Sequence, residues 1–305
     1  ANQAIEELET WNSGGHLLMT SFIKPHHPFD PPAPWHEMYD PNTIELLPGY
    51  TGIPLEHDLS YSPGFFPYTE MNEQKIRLAT ALYYATISQI DHHVGRMIQH
   101  LKNIGQYDNT LILYNSDHGD YMGYHHLLLK GNYMYDPVIK VPLIIKYPNQ
   151  DNAGTVSTDL VNTIDVGPTL LNIANCETPK TMIGSDLRTD VQSRKYMFAE
   201  KGQGQEYMVR SHTHKLLWCK NPDQSQFFDL QEDPFELDNR IHDPTTKAQI
   251  TEMKNALVQW MLFDAPSCVH LDENAPTINQ PNVPSKGDEH RETLYTYFQE
   301  RMNEK

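Results

Sequence analysis

The chain has 305 residues, 23 of them Lys or Arg and 40 Asp or Glu, for a formal net charge of −17. That excess disfavours nonspecific binding to nucleic acid or anionic membranes, so any anionic substrate needs a local positive site. The length suits one large α/β domain, alone or with a smaller appendage, and no apolar run approaches the roughly 20 residues that cross a bilayer.

The opening "ANQAIEELET" is acidic, so the chain as given is expected to carry no signal peptide. "IEELETW" reads as the end of a helix closed by "NSGG", and "HLLMTSFI" as a strand. From Phe29 to Tyr68 proline recurs ("PFDPPAPW", "LLPGYTGIP", "SPGFFP"), which excludes a regular helix or central strand and leaves a long surface loop, ordered by its aromatics. "NEQKIRLATALYYATISQIDHHVGRMIQHLKNIG" is the clearest helix: Ile76, Ala79, Tyr83, Ile87, Ile90, Val94, Met97, Ile98 and Leu101 share one stripe, and Gly105 is its stop. His92, His93 and His100 sit on the solvated face of this helix and read as surface residues rather than ligands.

"TLILY" then reads as a buried parallel strand, as does "VPLIIKY", and "TIDVGPTLLNIAN" as an amphipathic helix, a β-α alternation that points to a parallel sheet. After about Gly184 the character changes. "KYMFAE", "EYMVRS", "HKLLWCK" and "SQFFDL" are short β-like runs followed by one helix, "TKAQITEMKNALVQWMLFD", which describes an antiparallel sheet with a helix packed on it. The expected fold is thus α/β, a mixed and mostly parallel sheet flanked by helices over residues 1–184, with a smaller antiparallel subdomain over 185–305. Residues 265–287 read as loop and "DEHRETLYTYFQERMNEK" as a final helix.

The densest chemistry lies between the two apolar strands, in "NSDHGDYMGYHHLLLKG". In open α/β sheets ligands bind at the C-terminal ends of strands, where this stretch begins; the plain alternative is a polar loop capping a strand. Asp117 and His118 point to opposite sides unless the backbone turns, and Gly119 is expected to supply the turn so that both reach one metal. A carboxylate with an imidazole suits a divalent cation, and two ligands alone leave Ca²⁺, Mg²⁺, Mn²⁺ and Zn²⁺ open. Lys130 is a point charge able to hold an oxyanion or protonate a leaving oxygen, and His125 and His126 are placed to donate to the same anion.

The string "DNTLILYNSDHGDYMGYHHLLLKGNYMYDPVIKVPLII" closely resembles the second signature region of the sulfatases, in the alkaline-phosphatase-like superfamily. The resemblance runs colinearly through "KPHHPFDPPAPW", "YYATISQIDHHVGRMIQHLKNIG", "LVNTIDVGPTLLNIAN" and "FFDLQEDPFELDN", covering most of the chain. It implies hydrolysis of a sulfate ester, of a sulfated sugar or other small molecule. The residues matching Asp117 and His118 bind the metal, with Ca²⁺ expected ahead of Mg²⁺ or Mn²⁺. Lys130 would contact the sulfate and its bridging oxygen, and His26 would face the substrate with His27 beside it. The departure is the nucleophile. The family takes it from C-x-P-S-R or C-x-A-x-R, as formylglycine, and completes the metal site with adjacent aspartates. Cys176, Cys219 and Cys268 lie in neither motif, and no Asp-Asp pair occurs. The chain is therefore expected to be the C-terminal part of a longer sulfatase, silent alone and prone to associate with itself or with the missing segment. A phosphonate monoester or phosphodiester hydrolase of the same superfamily, and a non-catalytic fragment, are the alternatives.

Overall fold

The computed structural model describes residues 1–12, 15–61, 70–179, 181–189, 191, 194–201 and 205–263. The expected loop at 265–287, the final helix and Cys268 lie outside them. The chain divides into two compact units. The first contains residues 1–54, 69–130 and 137–157, and the second residues 55–68, 131–136 and 158–305.

The first unit is organised on helix α3 (Glu73–Asn103). The Asn72 side chain caps it by accepting the Lys75 amide at 3.0 Å, Glu73 stands in the first turn and Lys102 in the last, each charge opposing the helix dipole. Gly105, with φ +70°, ends it where the periodicity does. The buried stripe is narrower than the apolar pattern suggests. Ile76, Thr80, Ala81, Ala85, Thr86 and Ile90 are buried, whereas Ile87 is exposed. Small residues take these positions because other chain segments approach closely, and Thr80 and Thr86 satisfy their hydroxyls on the carbonyls of Ile76 and Leu82. Helix α1 (Asn2–Glu9) buries Ala4 and Leu8, and Arg96 of α3 donates to Asn2 at 2.8 Å. The proline-rich loop is ordered over residues 29–54 by rings set against α3: Phe29 edge-on to Tyr83, Tyr39 to Tyr84, and Trp35 beside His92.

Two strand expectations change. Residues 16–23 keep the period-two alternation of a strand, with Leu17, Met19 and Ile23 exposed and Leu18, Thr20 and Phe22 half-buried, but no ladder forms on them among the described residues. Strands β1 (Ile112–Asn115) and β2 (Leu143–Lys146) pair antiparallel, Ile112 opposite Lys146 and Asn115 opposite Leu143, where a parallel pair was expected. The reason is the connection. A parallel return needs a crossover, usually a helix, whereas the intervening chain closes on itself. The Gly119 amide donates to the carbonyl of Val138 in the one-turn helix α4 (Asp136–Ile139), Tyr121 to Leu129 and Gly123 to Leu127, at 2.7–2.8 Å, so the chain re-enters beside the strand it left.

The second unit holds short helix α2 (Glu56–Tyr61), helix α5 (Val166–Ile173) and the expected antiparallel sheet in the order β3 (Met197–Lys201), β4 (Glu206–Arg210), β5 (His214–Cys219), β6 (Gln226–Asp229). Helix α6 (Lys247–Phe263) covers one face with Ile250, Met253 and Leu257 against Val209, Leu216 and Phe227. Asp165 anchors the entry to α5. It closes a capping box with Asn162 and accepts both Arg194 guanidinium nitrogens, at 2.7 and 3.0 Å.

Candidate active site

The loop leaving β1 turns at once. Asp117 Oδ1 accepts the His118 amide at 2.9 Å, and the Ser116 hydroxyl donates to the His118 carbonyl at 2.8 Å. This local fold brings Asp117 Oδ2 to 3.7 Å from His118 Nε2. His118 Nδ1 lies 2.9 Å from the Gly119 carbonyl, which only accepts; the proton is therefore on Nδ1 and Nε2 presents its lone pair. Gly119 serves the turn differently from the expectation: its φ is not positive. A Cβ there would lie 2.1 Å from the Pro137 carbonyl oxygen, so glycine is required by close approach of two backbones.

Lys130 lies at the far end of the same loop. Its Nζ is fully enclosed and has no hydrogen-bond partner among the described residues. Burial lowers its pKa, while the charges of Asp120 and then Asp117 act the other way. Asp120 is a site residue that the sequence pattern did not single out, although it is the next acidic position in "SDHGD". It is buried at 9% exposure, and desolvation raises its pKa against the charges of Lys130, His118 and His26. Asp120 thus lies within the fields of Lys130, His118, His26 and Asp117, and Lys130 within those of Asp120 and Asp117. Tyr83 of α3 joins them: burial and then the Asp120 charge push its phenol well above the usual range.

His26 stacks on His27 with ring centroids 4.0 Å apart, and its Nδ1 donates to the His27 carbonyl at 2.6 Å, which leaves Nε2 for a further partner. His125 and His126 are closed in. They are 0% and 2% exposed and stacked on Tyr124 and Tyr50, and the His125 amide donates to the Gly49 carbonyl at 2.9 Å. Met122, His125, His126 and Leu129 all have φ between +47° and +62°. Left-handed backbone at non-glycine residues is strained, and such strain gathers at functional loops.

The Asp117 and His118 donors fit one side of the sphere of a hard divalent cation and no more than that. Among the described residues no group of three or more His, Cys, Asp or Glu is placed to hold a metal ion.

Comparison with known proteins follows the same residues. Residues 1–176 match the family described as "Sulfatase", and residues 123–262 the family "N-sulphoglucosamine sulphohydrolase, C-terminal". An arylsulfatase of Clostridium perfringens is 31% identical over 259 residues, 80% of this chain and 53% of the relative. A solved structure described as a complex with its substrate D-glucosamine-2-N,6-O-disulfate is 28% identical with a TM-score of 0.56, covering 62% of this chain and 41% of that one. The phosphonate monoester hydrolase of Silicibacter pomeroyi is 26% identical with a TM-score of 0.68, covering 82% and 56%. The chain spans about half the length of the relatives it matches.

Proposed function

The chain belongs to the sulfatase family, and from that premise we propose that the longer protein containing it hydrolyses a sulfate ester. The observation that carries this reading is the enclosed Lys130 ammonium, with no acceptor among the described residues, beside an acid–imidazole pair. A buried donor left unsatisfied costs about 1–3 kcal/mol or more, and a bound sulfate oxygen would remove that cost. In a chain of net charge −17 such a site must be local.

In this reading Lys130 holds the sulfate and the charge that grows on the bridging oxygen. His26, as the imidazolium with its Nδ1–H on the His27 carbonyl, gives its Nε2 proton to the leaving oxygen as the S–O bond breaks. Asp117 and His118 would hold the divalent cation, Ca²⁺ ahead of Mg²⁺ or Mn²⁺, with the remaining ligands from outside this chain; the cation supplies positive charge to the sulfate oxygens. The nucleophile is formylglycine on a segment that the 305 residues do not contain. His27, His125 and His126 are assigned to the substrate side of the same loops. A sulfated amino sugar is the proposed substrate, supported by the family description matched at residues 123–262 and by the disulfated glucosamine of the structural relative.

A phosphonate monoester hydrolase is the second reading, supported by the relative from Silicibacter pomeroyi. One assay separates the two. The longer protein is given an aryl sulfate, a glucosamine 6-sulfate and an aryl phosphonate monoester. Sulfate release with kcat/KM at least about tenfold above the phosphonate supports the first reading, the reverse order supports the second, and no turnover of any overturns both.

A further inference from the structure

The charged face of the C-terminal sheet has no part in the reading above. Side chains alternate along a strand, so Tyr207 and Val209 of β4 face α6 while Glu206, Met208 and Arg210 face the opposite side. Register places Lys215 and Lys201 on that side too, opposite Arg210 and Glu206. One face of the sheet is therefore apolar and packed on a helix, and the other carries ions although it is buried. Glu206 and Lys215 are both 0% exposed.

What this face holds is one short segment, residues 131–136. Lys201 Nζ donates to the Gly131 carbonyl at 2.8 Å and also to that of Asn132. The Glu206 carboxylate accepts the Met134 amide at 2.8 Å. Tyr135 donates to Gln226 at 3.0 Å. Asp136 receives Lys215 at 3.0 Å and Arg210 at 3.1 Å, and its amide donates to Glu236 at 2.8 Å. Lys215 also pairs with Glu236 at 2.5 Å, both side chains 0% exposed. Burying this many charges is costly unless each is paired, so the arrangement is a specific grip on backbone and side chains together.

Gly131 is bonded to Lys130. We propose that the Lys215–Asp136–Glu236 ion cluster, with Glu206 and Lys201, is a positioning device that fixes one end of the Lys130 peptide and so sets where its ammonium stands. The C-terminal sheet then acts on the reaction without touching substrate. This inference rests on the sulfatase reading for its kinetic consequence, though not for the grip itself.

The test uses two readouts. Hydrogen exchange of the peptide spanning residues 127–136 is measured in the chain and in K215M and E206Q; the grip predicts exchange at least about tenfold faster in both. Turnover of the aryl sulfate by the longer protein is measured for K215M, K130A and the double variant. K215M is expected to lower kcat by roughly ten- to a hundredfold, because a displacement near 1 Å can cost that much. In the K130A background the same change should cost less than about twofold, because its route runs through Lys130. E206Q removes the carboxylate charge that pairs with Lys201 while keeping the side chain's size, and takes the place of K215M where the latter does not fold. Unchanged exchange in both variants overturns the proposal. So does an equal kcat loss with and without Lys130, which marks general destabilisation. If the wild-type protein turns over none of the esters, the function reading falls, and exchange alone upholds or overturns the grip.

Discussion

The Lys130 ammonium is enclosed with no hydrogen-bond acceptor among the described residues, and the sulfatase reading gives it the sulfate to hold. In the longer protein K130A should lower turnover by about two orders of magnitude or more, since a charge aimed at the transferring group in an enclosed site contributes several kcal/mol. H92A should change it little: His92 is exposed and, among the described residues, stands against the Trp35 and His93 rings. Equal losses would remove Lys130 from the site. Asp120 supplies a second test. Its charge raises the Lys130 pKa while burial lowers it, so D120N should move the alkaline fall of kcat/KM to lower pH. A shift to higher pH would contradict the pairing. Cys219 gives a pH dependence of stability. Burial and then Glu206 push its thiol from 9.0 to about 12. A folded pKa raised above the unfolded one favours the folded state below the unfolded value, and that advantage is lost as pH rises through the folded one. Between pH 9 and 12 the unfolded chain sheds this proton and the folded chain keeps it. Cys219 should therefore resist iodoacetamide at pH 8 while exposed Cys176 reacts, and C219A should flatten the decline in stability above pH 9.

Among the elements, the loop from β1 to β2 is tied by backbone hydrogen bonds at 119–138, 121–129 and 123–127. Gly119 sits where two backbones meet, with a Cβ position 2.1 Å from the Pro137 carbonyl oxygen. G119A should cost about 1–3 kcal/mol by overpacking and also disturb the Asp117–His118 pair. The check is a urea midpoint together with divalent-cation titration by calorimetry; a variant matching wild type in both would show that the backbones part freely. In the second unit Leu216 is 0% exposed beneath α6, so L216A should cost about 2–5 kcal/mol in urea unfolding through the cavity it leaves.

For the whole chain, the matches to relatives cover about half their length, and neither nucleophile motif occurs in its 305 residues. Purified residues 1–305 should therefore be silent toward an aryl sulfate with or without Ca²⁺, while the chain extended upstream turns it over. Comparable turnover by both would send the search for a nucleophile back to Cys176, Cys219 and Cys268. Residues 16–23 also present Leu17, Met19 and Ile23 at 83–87% exposure in strand-like alternation, with no ladder among the described residues. Such an edge recruits other chains. Sedimentation should show association of residues 1–305 that M19K and I23K reduce; a strict monomer at tens of micromolar would contradict it.

Local rules carried far in this sequence. The stop at Gly105 and the four short β runs before one helix were legible because stop signals and periodicity act within a few residues. The order of Asp117, His118 and Lys130 was legible as a motif for the same reason. Direction of pairing was not. An apolar run such as "TLILY" has the same composition in either orientation, and only the self-closing loop after it makes the β1–β2 pair antiparallel. Asp120 was hidden because its neighbours His26 and Tyr83 come from distant parts of the chain. The grip on residues 131–136 lay further out of reach: Lys215 meets Asp136 across 79 positions. Period-two alternation in "HKLLWC" says which residues share a face, but only the packed molecule decides that the face with the lysine is the buried, ionic one, because burial of a charge depends on the partner that folding brings to it.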